Sequence, residues 1–146
     1  MSASIIVGLD GSEASGRAAD AAADAAQHHQ LRLVLACVVP WSPYAFTSAE
    51  ENERRSIERE REAAAARERV LDPAIARLAT SAGDVQVEGV VRHGHPAETL
   101  VALSREHAAT WIIVGRVGQS RVRTLLFGST PSSLIQLSSV PVLVVP

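Results

Sequence analysis

Three glycines spaced around an arginine-bearing stretch carry the most chemistry in this chain. Residues 115–130 read GRVGQSRVRTLLFGST. Two residues separate Gly115 from Gly118, and after nine more comes Gly128, followed by Ser129 and Thr130. A glycine lets the backbone approach a phosphate oxygen with no Cβ in the way, and N–H groups at a helix start attract anions. The apolar run Trp111 to Val114 reads as a strand entering this stretch, and Ser129 to Leu137 as a helix leaving it. Two anion-ready turns therefore flank a loop carrying Arg116, Arg121 and Arg123. Taken one at a time they are ordinary turn and cap chemistry. Their combination between a buried strand and a helix points to the phosphates of a nucleotide.

Composition narrows the rest. A length of 146 residues suits one domain, 1–146, with a core of its own. The formal charge of −2 disfavours nucleic acid or an anionic membrane as the main partner. No apolar run approaches the ~20 residues that span a bilayer. The opening MSASIIVGLDGS has neither the basic nor the long apolar region of a secretory signal, so a cytoplasmic location is expected. The single cysteine, Cys37, lies in the apolar run Leu33 to Val39 and reads as a buried thiol. The five histidines do not have metal-ligand spacing. The chain contains no lysine, and no nucleophile elbow or Walker motif occurs. With no clear general base near the glycines, an enzyme is not expected.

The elements that must position these residues alternate along the chain. Apolar strands are expected at Ser4 to Leu9, Leu31 to Val39, Val85 to Arg92, Trp111 to Val114 and Val140 to Val145. The alternation in the third suits a less buried place. Between them lie an alanine-rich helix from Ser12 to His29 with Ser12 as N-cap, a long charged helical region over 50–82, and helices from Pro96 to about His107 and from Ser129 to Leu137. The first half of the long region pairs opposite charges such as Glu50/Arg54 and reads as a solvated face. Its second half places Leu71, Ile75, Leu78 and Ala82 on one stripe. Asp72-Pro73 predicts a kink there, or a restart with Asp72 as cap. The pattern is that of an α/β fold, an open five-stranded parallel sheet with helices on both faces.

Ligands of such sheets bind outside the carboxyl ends of the strands, where strand order reverses. Three features gather there: the turn Leu9-Asp10-Gly11-Ser12, the strand end Val38-Val39, and the glycine loop. Asp10 there can meet ribose or a phosphate-bound Mg²⁺, or simply cap its own turn. The cluster Trp41, Tyr44 and Phe46 can cover a base, plug the sheet end or meet a partner.

The G-2X-G-9X-G-S spacing resembles the ATP-binding signature of the universal stress protein family. IIVGLDGSEAS, VVRHGHPAETLV and SVPVLVVP resemble that family's first strand and turn, its G-x-P-x-E stretch and its terminal strand. The resemblance implies a Rossmann-like fold of the adenine nucleotide alpha-hydrolase type and a nucleotide-dependent regulatory role in stress responses. It implies ATP as ligand, held by Leu9, Asp10, Val38, Gly115, Arg116, Gly118, Gly128, Ser129 and Thr130, with Mg²⁺ possible through Asp10. It also implies a homodimer through the terminal strand, and leaves a further protein partner open. Val117 stands where relatives usually carry a polar or basic residue, and Pro131 where most keep an N–H. Two other readings are an ATP pyrophosphatase or nucleotidyltransferase of the same superfamily, and a dimerisation module that binds no nucleotide. VGLDGS lacks the paired glycines of the pyrophosphatase loop, and the intact signature weighs against the module.

Overall fold

The structure is a computed structural model that describes residues 3–40, 48–117 and 129–146. Five strands form one parallel sheet: β1 (Ser4–Leu9), β2 (Arg32–Pro40), β3 (Val87–Gly94), β4 (Ala109–Gly115) and β5 (Val142–Val145), in the order β3-β2-β1-β4-β5. The chain steps outward from β1 through β2 to β3, then returns to the other side of β1 for β4 and β5. Order reverses between β1 and β4. The centre of the sheet is apolar on both faces, with Ile5, Ile6, Leu33, Val34, Ile112 and Ile113 fully buried, as strands covered on both sides require.

On one face lie α1 (Glu13–His29) and a long helix whose two parts are α2 (Ala49–Ala66) and α3 (Asp72–Ser81). Helix α1 can sit tight on the sheet because its inward stripe is alanine: Ala18, Ala19, Ala22, Ala23 and Ala26 are buried together with Ile5, Val7, Leu33 and Leu35. Ser12 caps it by accepting from Ser15 N at 3.1 Å. Gln30, in the left-handed region at φ 55, stops it. On the opposite face α4 (Pro96–Glu106) and α5 (Ser129–Leu137) bury Ala97, Leu100, Val101, Leu103 and Leu134 against Ile6, Val34, Ala36 and Ile112.

The expected bounds of α1, α5 and β1 match the structure, whereas the other strands shift by one or two residues. β3 begins at Val87 and runs on to Gly94, β4 begins at Ala109, and β5 begins only at Val142. Pro141 carries no N–H, so regular pairing starts after it. The long helix departs more clearly from expectation. Asp72 does not cap a new helix; it is itself helical, and no side chain caps α3. Between α2 and α3, Arg67–Leu71 form a π-turn in which Asp72 N–H donates to Arg67 O, five residues back. Pro73 has no N–H to give, and its ring crowds the preceding turn. Widening that turn lets the helix continue past the proline. The same stretch brings Leu71 into the core and Arg67 within 3.4 Å of Gly89 O on β3.

Exposure divides the long helix as its composition suggests. Helix α2 buries no residue, whereas Leu71, Leu78 and Ala82 are buried and Ile75 packs beside them. Among the described residues no helix is long and apolar enough to cross a membrane. Leu78→Ala should therefore cost about 2–5 kcal/mol of unfolding free energy. Ile57→Ala, on the outer half, should stay within about 0.5 kcal/mol of wild type. Urea melts of both variants check this.

Candidate functional site

The reversal of strand order places the ends of β1 and β4 side by side. Val7 pairs with Ile113, so both strands finish two residues later, at Leu9 and Gly115. Beyond β1 the chain turns tightly. Asp10 Oδ1 accepts from Ser12 N at 2.9 Å, Gly11 takes the positive φ of 83° that the turn demands, and Ser12 opens α1. Ser15 locks the turn from within the helix: its hydroxyl donates to Ser12 O at 2.9 Å and accepts from Asp10 N at 3.4 Å. The capping reading of Asp10 is thus realised through one oxygen, while the carboxylate as a whole remains exposed at the sheet edge.

Gly115 is required here by packing. A Cβ on it would lie 2.8 Å from the carbonyl carbon of Ala14 and 2.9 Å from both Ala14 Cβ and Ser15 N. The end of β4 therefore touches the first turn of α1 directly, and only hydrogen fits between them. Arg116 follows, its N–H donating to Val145 O at 2.7 Å and extending the β4–β5 ladder, with an exposed side chain. Leu9 is 5% exposed and belongs to the core beneath α1, so only its backbone can face a ligand. Val38 is half-buried at the end of β2 and faces the α4 side. Its neighbour Cys37 points to the α1 side and is buried. Burial pushes the Cys37 thiol above its ordinary range, and the Asp10 carboxylate adds to the rise. Leu9, the residue before Asp10, pairs with Cys37 across β1 and β2.

The start of α5 forms the other side. Ser129 is exposed, Thr130 half-buried, and Pro131 buried in the first turn, where a missing N–H breaks no helical bond. A cleft of about 310 Å³ opens between the beginnings of α4 and α5, lined among others by His95, Glu98, Ser129, Thr130 and Ser133. Helix α4 starts after Gly94, at φ 151°, with Pro96 in its first turn and no capping bond from the side chain of its N-cap residue, His95. His95, Glu98 and Ser133 carried no assigned role in the sequence reading. The stretch VVRHGHPAETLV was visible, but nothing local placed it against α5. Among the described residues no group of three or more His, Cys, Asp or Glu could hold a metal ion.

The structure thus brings Leu9, Asp10, Gly115 and Arg116 to the β1–β4 junction, Val38 to the adjoining strand end, and Ser129 and Thr130 to the start of α5. Gly118 and Gly128, with Arg121, Arg123 and the aromatic cluster Trp41, Tyr44 and Phe46, lie outside the described residues.

Comparison with known proteins agrees with this fold. The family model of the universal stress protein family matches residues 1–146. Universal stress protein Rv1996 of Mycobacterium tuberculosis is 33% identical over 153 residues, covering 97% of this chain and 47% of that protein. The chain therefore spans about half the length of such relatives. Among solved structures, universal stress protein UspA from Lactobacillus plantarum superposes with a TM-score of 0.79 at 24% identity, covering 99% of this chain and 97% of the other. A universal stress protein crystallised in complex with cAMP gives a TM-score of 0.66 at 30% identity, with the same coverage of 99% and 97%.

The packing role of Gly115 can be tested apart from any ligand. Gly115→Ala forces the α1 turn away from β4 and should lower stability by about 1–3 kcal/mol, the usual cost of overpacking. Thermal melts of the unliganded protein would show it, and a wild-type melting temperature would refute the close-contact account.

Proposed function

The chain belongs to the universal stress protein family, and we propose that it is an adenine-nucleotide-binding regulatory module, taking ATP across the carboxyl edge of its sheet. One observation carries the reading: the Asp10 turn and the Gly115–Arg116 strand end open side by side at the β1–β4 reversal, where parallel α/β sheets bind ligands. The cAMP complex of a relative 30% identical to this chain supports an adenine nucleotide as the class of ligand.

In this reading adenosine lies over the ends of β1 and β2. The backbone at Leu9 and the side chain of Val38 border the base, and Asp10 accepts from the ribose hydroxyls. The phosphates run toward α5, held by N–H groups of the glycine loop at Gly115, Gly118 and Gly128, by the Ser129 and Thr130 hydroxyls, and by the Arg116 guanidinium. A chain without lysine meets phosphate through arginine, histidine, hydroxyls and backbone N–H groups. Such a set binds more readily than it transfers a phosphoryl group, since transfer also needs a positioned nucleophile and base. The module acts by binding, in the cytoplasm, as part of a stress response.

Assembly follows from the sheet edge. β5 ends the sheet on the side away from β3, and its Leu143 is 49% exposed. An apolar edge with unpaired backbone groups invites a second strand. A two-fold axis lets β5 pair with its own copy, and Pro141 and Pro146 confine that pairing to the residues between them.

Two measurements test the proposal. In calorimetric titrations with ATP, Gly118→Val should weaken binding at least ten-fold, about 1.4 kcal/mol. Asp10→Ala should weaken it by a similar factor, equally in Mg²⁺ and in EDTA. Unchanged affinity in both variants would remove this edge as the site. For assembly, sedimentation should show a wild-type dimer that Leu143→Asp converts to monomer; a wild-type monomer would reject the β5 interface.

A further inference from the structure

Helix α2 lies beside the sheet with no buried residue of its own. Of its residues only Arg55, Ala63, Ala65 and Ala66 are half-buried. Where it passes the carboxyl end of β3 it meets His93. Nε2 of that ring is buried and has no hydrogen-bond partner among the described residues. Glu62 Oε2 on α2 stands 3.9 Å away, outside hydrogen-bond reach. A buried ring nitrogen left unpaired costs free energy whether it carries a proton or only a lone pair. One added proton makes both ring nitrogens donors and the ring a cation. The Glu62 carboxylate then has a charge and an N–H to close upon. Its side chain, 54% exposed, has room to swing in.

We infer that His93 and Glu62 form a proton-operated latch that fastens α2 to the end of β3 as the pH falls through the histidine range. The ion pair exists only when α2 lies on β3, so docking takes up a proton. By linkage the docked helix gains on acidification and loosens as the pH rises. The other charged groups around β3 have places of their own. Arg67 of the π-turn reaches Gly89 O, four residues before His93 on the same face. From α3 that face receives Ile75. From β2 it receives Cys37, whose raised thiol stays protonated at neutral pH, while Val39 pairs with His93 itself. On the opposite face Glu106 of α4 meets Arg92 at 3.3 Å. On α2, Arg55 and Arg59 share the helical side of Glu62, seven and three residues earlier. The π-turn at Arg67–Leu71 is the natural hinge, since Leu71 and Leu78 anchor the chain beyond it while α2 has no buried side chain to give up. The latch does not rest on the nucleotide reading.

The test follows amide hydrogen exchange along the chain at about pH 5.5 and about pH 7.5, on either side of the ordinary histidine midpoint. Rates are expressed as protection factors, which remove the pH dependence of the exchange chemistry. NMR titration of the His93 ring is recorded alongside. In the wild type, protection of the α2 amides should rise about three-fold on acidification, the scale of a partly exposed ion pair. The rise should track the titration of His93, and α4 should show none. Glu62→Gln alters an exposed side chain and leaves the core untouched, and in it the rise should disappear. His93→Gln, checked for folding by circular dichroism, should likewise give an α2 indifferent to pH. Protection of α2 that ignores pH in the wild type would overturn the inference. So would a rise that persists in Glu62→Gln, which would give the proton another partner. An equal rise in α4 would overturn it too, by making the effect global.

Discussion

The contact between Gly115 and the first turn of α1 sets the geometry of the whole carboxyl edge. With the backbone of Ala14 and Ser15 under 3 Å from where a Cβ would stand, the end of β4 and the start of α1 can be neighbours only because position 115 has no side chain. That closeness has consequences along the helix. Its inward face must be small, hence the buried alanines from Ala18 to Ala26, and its entry must be tightly held, hence the bonds among Asp10, Ser12 and Ser15. A glycine that looks like a phosphate contact in the sequence is first a packing requirement.

Two acidic groups and a set of hydroxyls divide that edge chemically. The end of β2 offers an apolar wall at Val38, and the turn after β1 the exposed carboxylate of Asp10. The α5 side offers Ser129 and Thr130, with Glu98 of α4 across the cleft. The buried Cys37 takes no part: its thiol, raised by burial and by the Asp10 charge, stays protonated at neutral pH. The sign is that of a group whose folded pKa is raised. The stability it contributes is present below the unfolded pKa and is lost only as the pH climbs through the folded one.

Away from the edge, the long helix between β2 and β3 shows how a local conflict is absorbed. Pro73 falls in a segment whose apolar stripe must stay on the core, and a break there would turn Leu71 or Leu78 away. The π-turn keeps both buried by widening one turn, and Gly89 on β3 leaves the room: a Cβ there would lie 2.8 Å from Ile75 Cδ1. The outer half of the helix, α2, buries nothing and carries Glu62 toward β3, 3.9 Å from His93 Nε2.

Local physics determined much of this protein before any tertiary contact was known. Apolar runs marked the five strands, and the bounds of β1, α1 and α5 match the sequence reading, with Ser12 capping α1 as expected. The strand–helix alternation likewise suffices to place the start of the glycine-spaced stretch at the carboxyl edge of a parallel sheet. Tertiary structure decided what depends on residues distant in sequence. The reason Gly115 has no alternative lies in Ala14 and Ser15, a hundred residues earlier. The passage of the helix through a π-turn before Pro73 goes with the packing of Leu71 and Ile75 near Gly89 on β3. The meeting of Glu98 with Ser129 and Thr130 depends on α4 and α5 sharing one face of the sheet. Periodicity reports which side of an element is apolar. Which polar side chains then face one another is set by how the sheet orders its strands.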